Sequence, residues 1–268
     1  MVCGNCYLIF WLLYCEQDSN IYKEIGKIVD ERDKMGKYRS EWKYCIDNVS
    51  LQPIKERLLA IMDRDSHANE NGKYEIHSLY FDDFQNTCAR ENMAGDGIRY
   101  KYRIRYYGNN SHLLFLEKKS KNNSFCNKRS CKITKEQFER IIDDDVGDLF
   151  WETQDKLLQE FCLAVVSKGF KPKVIVNYER EAFVEPINNV RITFDSSISS
   201  SNSFDQFLDS DYRKVPILPE NMNVMEVKFD DVLPAYIRKM LQVERVNQRS
   251  FSKYYLCRIA LQDFLNIQ

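Results

Sequence analysis

The sequence predicts an α+β fold in which most strands pair into an antiparallel sheet. The first observation is a set of segments in which polar and apolar residues alternate with the period of two that is typical of strands. The second is a set of segments with helical spacing that flank these strands. The third is a turn signal, Asn109-Asn110, which indicates that two neighbouring strands form a hairpin.

The alternation and the helical spacing divide most of the chain into elements. The predicted strands are 38–45, 74–82, 98–107, 112–120, 125–133, 172–184, 188–196 and 222–230. The predicted helices are 50–63, 134–143, 151–167, 235–243 and 251–265, with a short helix or loop at 83–91. The Ser-rich segment 196–203 is predicted to be a loop, and no internal repeat is visible.

Local sequence predicts where two of the helices begin. Ser50 can cap the helix at 50–63, since its hydroxyl can accept a hydrogen bond from the first turn. The apolar stripe of that helix is then Leu51, Ile54, Leu58, Leu59 and Met62. Thr134, followed by Glu136 and Gln137, is typical of a capping box at the start of the helix at 134–143.

Composition limits the class of protein. The chain has 268 residues with 44% hydrophobic content, which favours a single domain, here residues 38–268. Its 39 Lys and Arg residues balance 40 Asp and Glu residues, and a general nucleic-acid binder would carry a basic excess, so we expect no nucleic-acid partner. Nine cysteines without regular spacing do not form a secreted disulfide pattern, and this predicts a reducing, cytoplasmic setting.

The segment 1–37 is interpreted as an N-terminal extension whose role the sequence does not decide. Its apolar stretch, residues 7–14, is far shorter than the roughly 20 residues that span a bilayer. Cys3 and Cys6 form one CxxC pair, but no second pair completes a zinc site. The three histidines, His67, His77 and His112, are scattered and are interpreted as structural or surface residues.

The most informative segment is 99–105, which reads Arg-Tyr-Lys-Tyr-Arg-Ile-Arg. Alternate side chains of a strand share a face, so Arg99, Lys101, Arg103 and Arg105 point the same way. Neighbouring cations on that face would lie about 6–7 Å apart and would repel by roughly 2–3 kcal/mol at moderate effective dielectric. Water, carboxylates or an anion must offset this repulsion, and a polyanion with regularly spaced charge would do so.

Similar charged faces recur on other predicted strands, often with one carboxylate among the cations. They include Glu117, Lys119 and Lys121; Tyr178 and Arg180; Arg191, Thr193 and Asp195; and Glu226 and Lys228. One interpretation is a solvated outer sheet face, which is common in antiparallel sheets. The alternative is a sheet closed into a barrel whose charged interior binds a linear phosphate chain, with the carboxylates serving Mg²⁺ or Mn²⁺.

Nine segments in chain order resemble the catalytic domain of the vacuolar transporter chaperone (VTC) polyphosphate polymerases, a branch of the triphosphate tunnel metalloenzymes in the CYTH-like superfamily. They are Arg39-x-Glu41-x-Lys43-Tyr44, Ser78-Leu79-Tyr80-Phe81-Asp82, Arg99-x-Lys101-x-Arg103-x-Arg105-Tyr106, Glu117-x-Lys119-x-Lys121, Lys128-Arg129, Tyr178-x-Arg180-x-Ala182-Phe183, Arg191-x-Thr193-x-Asp195, Met225-Glu226-x-Lys228 and Phe251-Ser252-Lys253-Tyr254. The resemblance covers about residues 38–265.

The resemblance implies an antiparallel β-barrel tunnel with flanking helices. It also implies transfer of the γ-phosphate of ATP to a growing polyphosphate chain, with Mn²⁺ or Mg²⁺ as cofactor. The catalytic residues implied are Lys43, Arg103, Arg105, Lys119, Arg180, Arg191 and Lys253. Further phosphate contacts implied are Arg99, Lys101, Lys121, Lys128, Tyr178, Lys228 and Ser252, and Glu226 is the implied metal ligand.

Two positions leave alternatives open. Related triphosphatases carry an acidic pair where this chain has Arg39 and Glu41, and the loss of the first acid favours the polymerase branch. Lys128 and Arg129 are adjacent, so only one of them can face a tunnel.

Three functions stay open besides the polymerase. They are a tripolyphosphate or nucleoside-triphosphate hydrolase, a non-catalytic polyphosphate or inositol-phosphate binding module, and a sheet protein with a solvated charged face. Some relatives are fused to membrane segments, so a membrane partner stays open as well, and the sequence does not decide the oligomeric state.

Overall fold

The computed structural model describes residues 39–66, 68–123, 125–209, 211–241, 248 and 250–265. The predictions made for Cys3, Cys6, the apolar segment 7–14 and His67 lie outside these residues. Among the described residues, no helix combines the length and the apolar character needed to cross a bilayer.

Ten strands make up the sheet, and their bounds follow the alternation in the sequence closely. They are β1 Arg39–Asp47, β2 Asp63–Arg64, β3 Lys73–Asp82, β4 Ile98–Tyr107, β5 Leu114–Asn122, β6 Phe125–Ile133, β7 Lys171–Glu185, β8 Val190–Ser201, β9 Val215–Pro216 and β10 Met222–Asp230. The helices are α1 Asn48–Leu59, α2 Thr87–Ala94, α3 Lys135–Ile142, α4 Gly147–Glu152, α5 Lys156–Lys168, α6 Ala235–Leu241 and α7 Lys253–Leu265.

The strands form one antiparallel sheet with helices packed on it, so the predicted α+β class is confirmed. The hydrogen-bonded order is β1-β10-β8-β7-β3-β4-β5-β6, with β2 paired to β7 and β9 to β8. Within the described residues, no ladder joins β6 to β1, so the sheet differs from the predicted barrel in being open along this seam. Side chains rather than backbone hydrogen bonds connect the two ends of the sheet, as the contacts of the site show.

The outward side of the sheet is apolar and is covered by helices. Leu158 and Phe161 of α5 pack into one core cluster with Tyr102 and Leu116 of the sheet. A second cluster joins Ile54 and Leu58 of α1 to β8 and β10, whose residues include Ile192, Met225 and Val227. Burial of these apolar side chains on one side of each strand leaves the alternate, charged side chains on the other side.

Two helix predictions need correction. Asp47 rather than Ser50 caps α1, because Asp47 Oδ1 accepts a 2.8 Å hydrogen bond from the backbone of Ser50, which lies inside the first turn. The helix predicted at 151–167 is two helices, because Thr153 has extended backbone and Asp155 caps a new helix at Leu157 and Leu158. The capping box is confirmed: Thr134 Oγ1 accepts from the Gln137 backbone at 3.1 Å, and Gln137 accepts from that of Thr134 at 2.9 Å.

The Ser-rich segment is also corrected, since most of it continues β8 rather than forming a loop. Ser199 pairs with Asn177 of β7 on one side and with Pro216 of β9 on the other. The side chains at 199–201 are buried. Pairing with a strand on both sides therefore outweighs the preference of serine for loops. The local sequence does not show this pairing, because both partner strands are distant in the chain.

Candidate functional site

The sheet curls so that side chains from distant strands meet on its charged side. Lys119 Nζ of β5 lies 3.2 Å from Glu41 Oε2 of β1, although these strands are six steps apart in the sheet. In a flat sheet six steps would separate them by about 29 Å. We call this side the concave face; its residues include Glu41, Lys43, Ser78, Tyr80, Lys101, Arg103, Arg105, Glu117, Lys119, Lys128, Tyr178, Arg180, Arg191, Asp195, Glu226 and Lys228.

Glu226 lies at the centre of a cluster of cations. Lys253 Nζ is 3.0 Å from its Oε1, and Lys228 Nζ is 3.0 Å from its Oε2. Lys43 Nζ and an Arg180 nitrogen lie slightly further away, at 3.5 and 3.8 Å. The structure therefore brings together five of the residues that the sequence singled out, from β1, β7, β10 and the N-terminus of α7.

The charges of this cluster determine the ionisation of its members. Burial alone would raise the pKa of Glu226, but Lys228 and Lys253 outweigh burial and hold that pKa well below its usual range. Burial alone would lower the pKa of Lys253, but Asp195 and Glu226 raise it instead. Glu226 is therefore a carboxylate and Lys253 an ammonium ion at neutral pH.

Asp195 fixes the direction of two of these cations. Arg180 donates two hydrogen bonds to it, from Nε to Oδ1 at 2.6 Å and from Nη2 to Oδ2 at 2.7 Å. Lys253 Nζ is 2.5 Å from Oδ2 and also lies 5.0 Å from the ring centre of Tyr178. Asp195 is fully buried, so its charge acts on these cations without screening by water.

A second group of charges on the concave face is built around Glu117. Arg103 Nε donates to Glu117 Oε2 at 2.7 Å, and Lys128 Nζ donates to Oε1 at 3.0 Å. Arg103 also donates to the hydroxyl of Tyr80 at 2.9 Å. Arg105 donates to Ser78 Oγ at 2.9 Å and to the Tyr178 hydroxyl at 3.2 Å, which joins this group to the cluster around Glu226.

The structure decides between Lys128 and Arg129. Lys128 pairs in register with Lys119 of β5 and contacts Glu117 on the concave face. Arg129 points to the opposite side and forms an ion pair with Glu160 of α5. Lys128 is thus the residue of the two that lies with the other predicted phosphate contacts.

One end of the concave face carries cations that no carboxylate offsets. We call Arg99, Lys101 and Lys121 the basic end; among the described residues, none of them forms an ion pair with Asp or Glu. Lys101 Nζ instead donates to Ser252 Oγ at 3.3 Å, and Arg99 hydrogen-bonds to the backbone oxygen of Asp96. Burial, and then the positive charge of Lys119, lowers the pKa of Lys101 to about 8.

Arg191 lies towards the opposite end. Its Nη2 donates to the Tyr74 hydroxyl at 2.9 Å and forms an ion pair with Asp65, which follows β2. Tyr74 lies beside Tyr107 of β4, with ring centres 6.2 Å apart. Arg39 donates to the backbone oxygen of Asn189 at 2.6 Å. Of the Arg39/Glu41 pair, Glu41 is the residue with a carboxylate, and it contacts Lys119 on the concave face.

Helix α7 is held by the end of β3 so that Ser252 and Lys253 reach the concave face. Tyr254, the residue after Lys253, donates its hydroxyl proton to Asp82 Oδ2 at 2.6 Å. Asp82 is fully buried and also accepts from the backbone nitrogens of Cys88 and Ala89 at the start of α2. The buried carboxylate thus connects α2 to α7.

The carboxylates fit a metal that is bound together with phosphate. Within the described part of the chain, no three His, Cys, Asp or Glu side chains converge to hold a metal ion by themselves. Glu41 and Glu226 are nevertheless neighbours, because Lys43 Nζ lies 3.5 Å from Oε1 of each. Mg²⁺ is commonly bound by one or two carboxylates plus substrate phosphates, and these two side chains could supply such a pair.

Sequence reasoning gave Glu117 and Asp195 only the shared metal role of the strand carboxylates and gave Tyr80 none, although all three lie on the concave face. The alternation on β5 and β8 placed the two carboxylates among cations, and this was the available signal. Burial would raise the pKa of Tyr80, but Arg103 and Arg105 outweigh burial and lower it to about 8. Such a shift depends on contacts between strands that a linear pattern does not contain.

Comparison with solved structures finds similar chains of low identity. A candidate adenylate cyclase from Bacillus halodurans has a TM-score of 0.42 at 10% identity, covering 86% of this chain and 88% of that one. The PH1819 protein from Pyrococcus horikoshii OT3 has a TM-score of 0.39 at 16% identity, covering 86% and 100%. The Mimivirus capping enzyme triphosphatase has a TM-score of 0.32 at 10% identity, covering 79% and 88%.

Comparison with the curated proteins gives no match. The comparison with family models is decisive, since the VTC domain model matches residues 38–261. The match spans every strand of the sheet and most of α7, which carry the clusters around Glu226 and Glu117. This chain belongs to the VTC domain family.

Proposed function

We propose that this protein is a metal-dependent polyphosphate polymerase, which transfers the γ-phosphate of ATP to a growing polyphosphate chain. The observation that carries the proposal is the concave face, where cations from β1, β7, β10 and α7 surround the buried carboxylate Glu226. Arg103 and Lys119 add cations from two further strands, held by Glu117 and Glu41. A linear polyanion is the ligand whose repeated charge matches repeated cations. Membership of the VTC domain family supports the same class of substrate.

Bound phosphate would replace carboxylates as the partners of the cations on the concave face. The cations around Glu226 and Glu117 are held by carboxylates, so they are already oriented towards the interior. Arg103 and Arg180 present planar guanidinium groups, which suit bidentate contact with phosphate oxygens, and Lys43, Lys228 and Lys253 act as point charges. Pre-oriented cations lose little conformational entropy when the ligand binds.

The reaction requires no protein nucleophile. An oxygen of the terminal phosphate of the polyphosphate chain would attack the γ-phosphorus of ATP, the bond from that phosphorus to its bridging oxygen would break, and ADP would leave. Catalysis of phosphoryl transfer rests mostly on positioning and on neutralisation of charge. Arg180 and Lys253, which share Asp195, would stabilise the charge that develops on the transferred group. Arg103, Arg105 and Lys119 would hold the polyphosphate chain in line with it.

A divalent cation, Mn²⁺ or Mg²⁺, would neutralise charge on the triphosphate when bound. Glu226 is the side chain proposed to hold it, with Glu41 as a second oxygen donor. Since the pKa of Glu226 is held low, the carboxylate is ionised and available as a ligand at neutral pH. Release of Lys228 or Lys253 towards phosphate would free its oxygens.

The experiment is incubation of the full chain with ATP and Mn²⁺, followed by a gel that resolves polyphosphate by length. A ladder of long chains that is absent in Glu226→Gln is the expected result. The matched control is Glu160→Gln, which removes a carboxylate of similar pairing from the outer side of the sheet. It should leave the ladder unchanged.

Other outcomes assign other functions. Orthophosphate as the only product would identify a triphosphatase, because water would then be the acceptor. Tight polyphosphate binding without turnover would identify a binding module. Full activity in Glu226→Gln would contradict the proposed metal ligand.

A further inference from the structure

We infer that the end of the concave face opposite the basic end is a stacking site for the purine base of the nucleoside triphosphate. We call Tyr74, Tyr107 and Phe115 the aromatic end. The inference rests on the proposed function, in which ATP is the substrate. The charged residues would bind its phosphates, and the aromatic end is assigned to its base. A polyphosphate chain has no aromatic group, so these side chains serve either packing or the nucleotide.

The three rings form a continuous row across three neighbouring strands. The ring centres of Tyr74 and Tyr107 are 6.2 Å apart, and those of Tyr107 and Phe115 are 6.3 Å apart. The rings are inclined at 58° and 65°, so they are not stacked on one another. All three side chains are partly exposed, which leaves ring surface for a further planar group.

The aromatic end breaks the charge alternation of its strands. On β4 the concave-face positions run Arg99, Lys101, Arg103 and Arg105, and the next is Tyr107. On β5, Phe115 occupies the same side as Glu117 and Lys119. Apolar residues usually occupy the outward, packed side of this sheet. On the charged side, Tyr74 and Tyr107 pack against the core with only part of their surface, and Phe115 belongs to neither core cluster, so packing leaves part of all three rings uncovered.

Phosphate-binding residues lie directly beside the rings. The guanidinium carbon of Arg105 is 5.9 Å from the ring centre of Tyr107, and Arg191 donates to the Tyr74 hydroxyl. A base stacked here would therefore direct its phosphates towards Arg105 and Arg191. Every base has a π face, so stacking of this kind favours a nucleotide over a bare phosphate chain.

The test compares ATP with inorganic tripolyphosphate, which carries similar charge but has no base. Isothermal titration calorimetry measures both affinities in the same Mn²⁺ buffer, on wild type and on Tyr107→Leu. We expect Tyr107→Leu to weaken ATP binding by about fivefold or more and to leave tripolyphosphate binding unchanged. Tyr107→Phe, which keeps the ring, should restore the wild-type ratio of the two affinities.

The matched control is Tyr100→Leu, on the same strand but on the outward side, where its ring packs near Tyr102 and Phe170. It should not change the ratio of the two affinities. Retained tripolyphosphate binding shows that Tyr107→Leu is folded; if that variant does not fold, Phe115→Leu replaces it, with the same expected change in the ratio. An equal effect on both ligands, or none, would overturn the stacking site.

Failure of the stacking site is distinguishable from failure of the proposed function. A wild-type polyphosphate ladder combined with an unchanged ratio would reject the stacking site alone. Wild-type protein that binds neither ligand would reject the proposed function, and the stacking site with it.

Discussion

Glu117→Gln tests whether the carboxylates of the concave face compete with phosphate for the cations that they contact. The side chain of Glu117 is 3% exposed and contacts Arg103, Lys128 and Arg105. Burial would raise its pKa, but Arg103 and Arg105 outweigh burial and keep it far below the usual range. Removing this charge leaves the buried guanidinium group of Arg105 and the partly buried one of Arg103 without their carboxylate.

The expected loss of stability follows from the distances between the cation nitrogens and the carboxylate oxygens of Glu117. Arg103 Nε is 2.7 Å, Lys128 Nζ is 3.0 Å and Arg105 Nη1 is 3.9 Å from the nearest carboxylate oxygen. Each contact is worth roughly 4–6 kcal/mol at moderate effective dielectric, before the cost of burying the charges. That cost offsets most of the attraction, so loss of one partner of a buried pair destabilises a protein by about 3–5 kcal/mol. For a domain of this size the Tm falls by about 6–20 °C.

The same change should strengthen polyphosphate binding, because phosphate no longer competes with Glu117 for these cations. We expect Kd for polyphosphate to fall by about tenfold, which corresponds to roughly 1.4 kcal/mol. The assay is thermal unfolding with and without polyphosphate, together with calorimetry. Glu160→Gln is the control, since it removes a carboxylate that contacts Lys118 and Arg129 on the outer side.

The control should lower Tm without changing polyphosphate affinity. An unchanged Tm in Glu117→Gln would refute the calculated electrostatic contribution. If Glu117→Gln lowers the Tm but binds polyphosphate no more tightly than Glu160→Gln does, the exchange of carboxylate for phosphate is refuted.

Two further predictions concern the cations themselves. The pKa values of Lys101 and Tyr80 are both lowered to about 8, so Lys101 loses positive charge and Tyr80 gains negative charge as pH rises through 8. Polyphosphate affinity measured by calorimetry should therefore fall from pH 7 to pH 9, and less steeply in Lys101→Met; equal slopes would contradict this. Lys128→Ala should weaken polyphosphate binding severalfold at low salt, whereas Arg129→Ala should not, because only Lys128 lies on the concave face. Equal losses in a filter-binding assay would contradict the placement.

Much of the sheet could be predicted because the period of two in a strand is a local property. Tyr102 and Ile104 are buried, while Arg103 and Arg105 lie on the charged side, as the alternation on β4 predicts. The same alternation does not decide between Lys128 and Arg129. That choice depends on the register of β6 against β5, which is set by pairing along the whole strand.

The partners of the charges and the curvature of the sheet were not predictable from local pattern. Asp195 appears in the sequence as a carboxylate near a cation, but its bidentate contact with Arg180 joins two strands. The contact between Glu41 and Lys119 depends on how far the sheet curls. Such contacts arise between residues distant in sequence, and the pairing of Ser199 shares this origin.

The connection from Asp82 through Tyr254 to Lys253 bears on the order in which the molecule is assembled. A chain is synthesised from its N-terminus, and all ten strands precede Lys253. The sheet can pair while Asp195 and Glu226 still lack their shared ammonium group. Docking of Tyr254 on Asp82 then brings Lys253 between those two carboxylates. Lys253 is therefore synthesised after every strand of the sheet, so the charged cluster is complete only once α7 has docked.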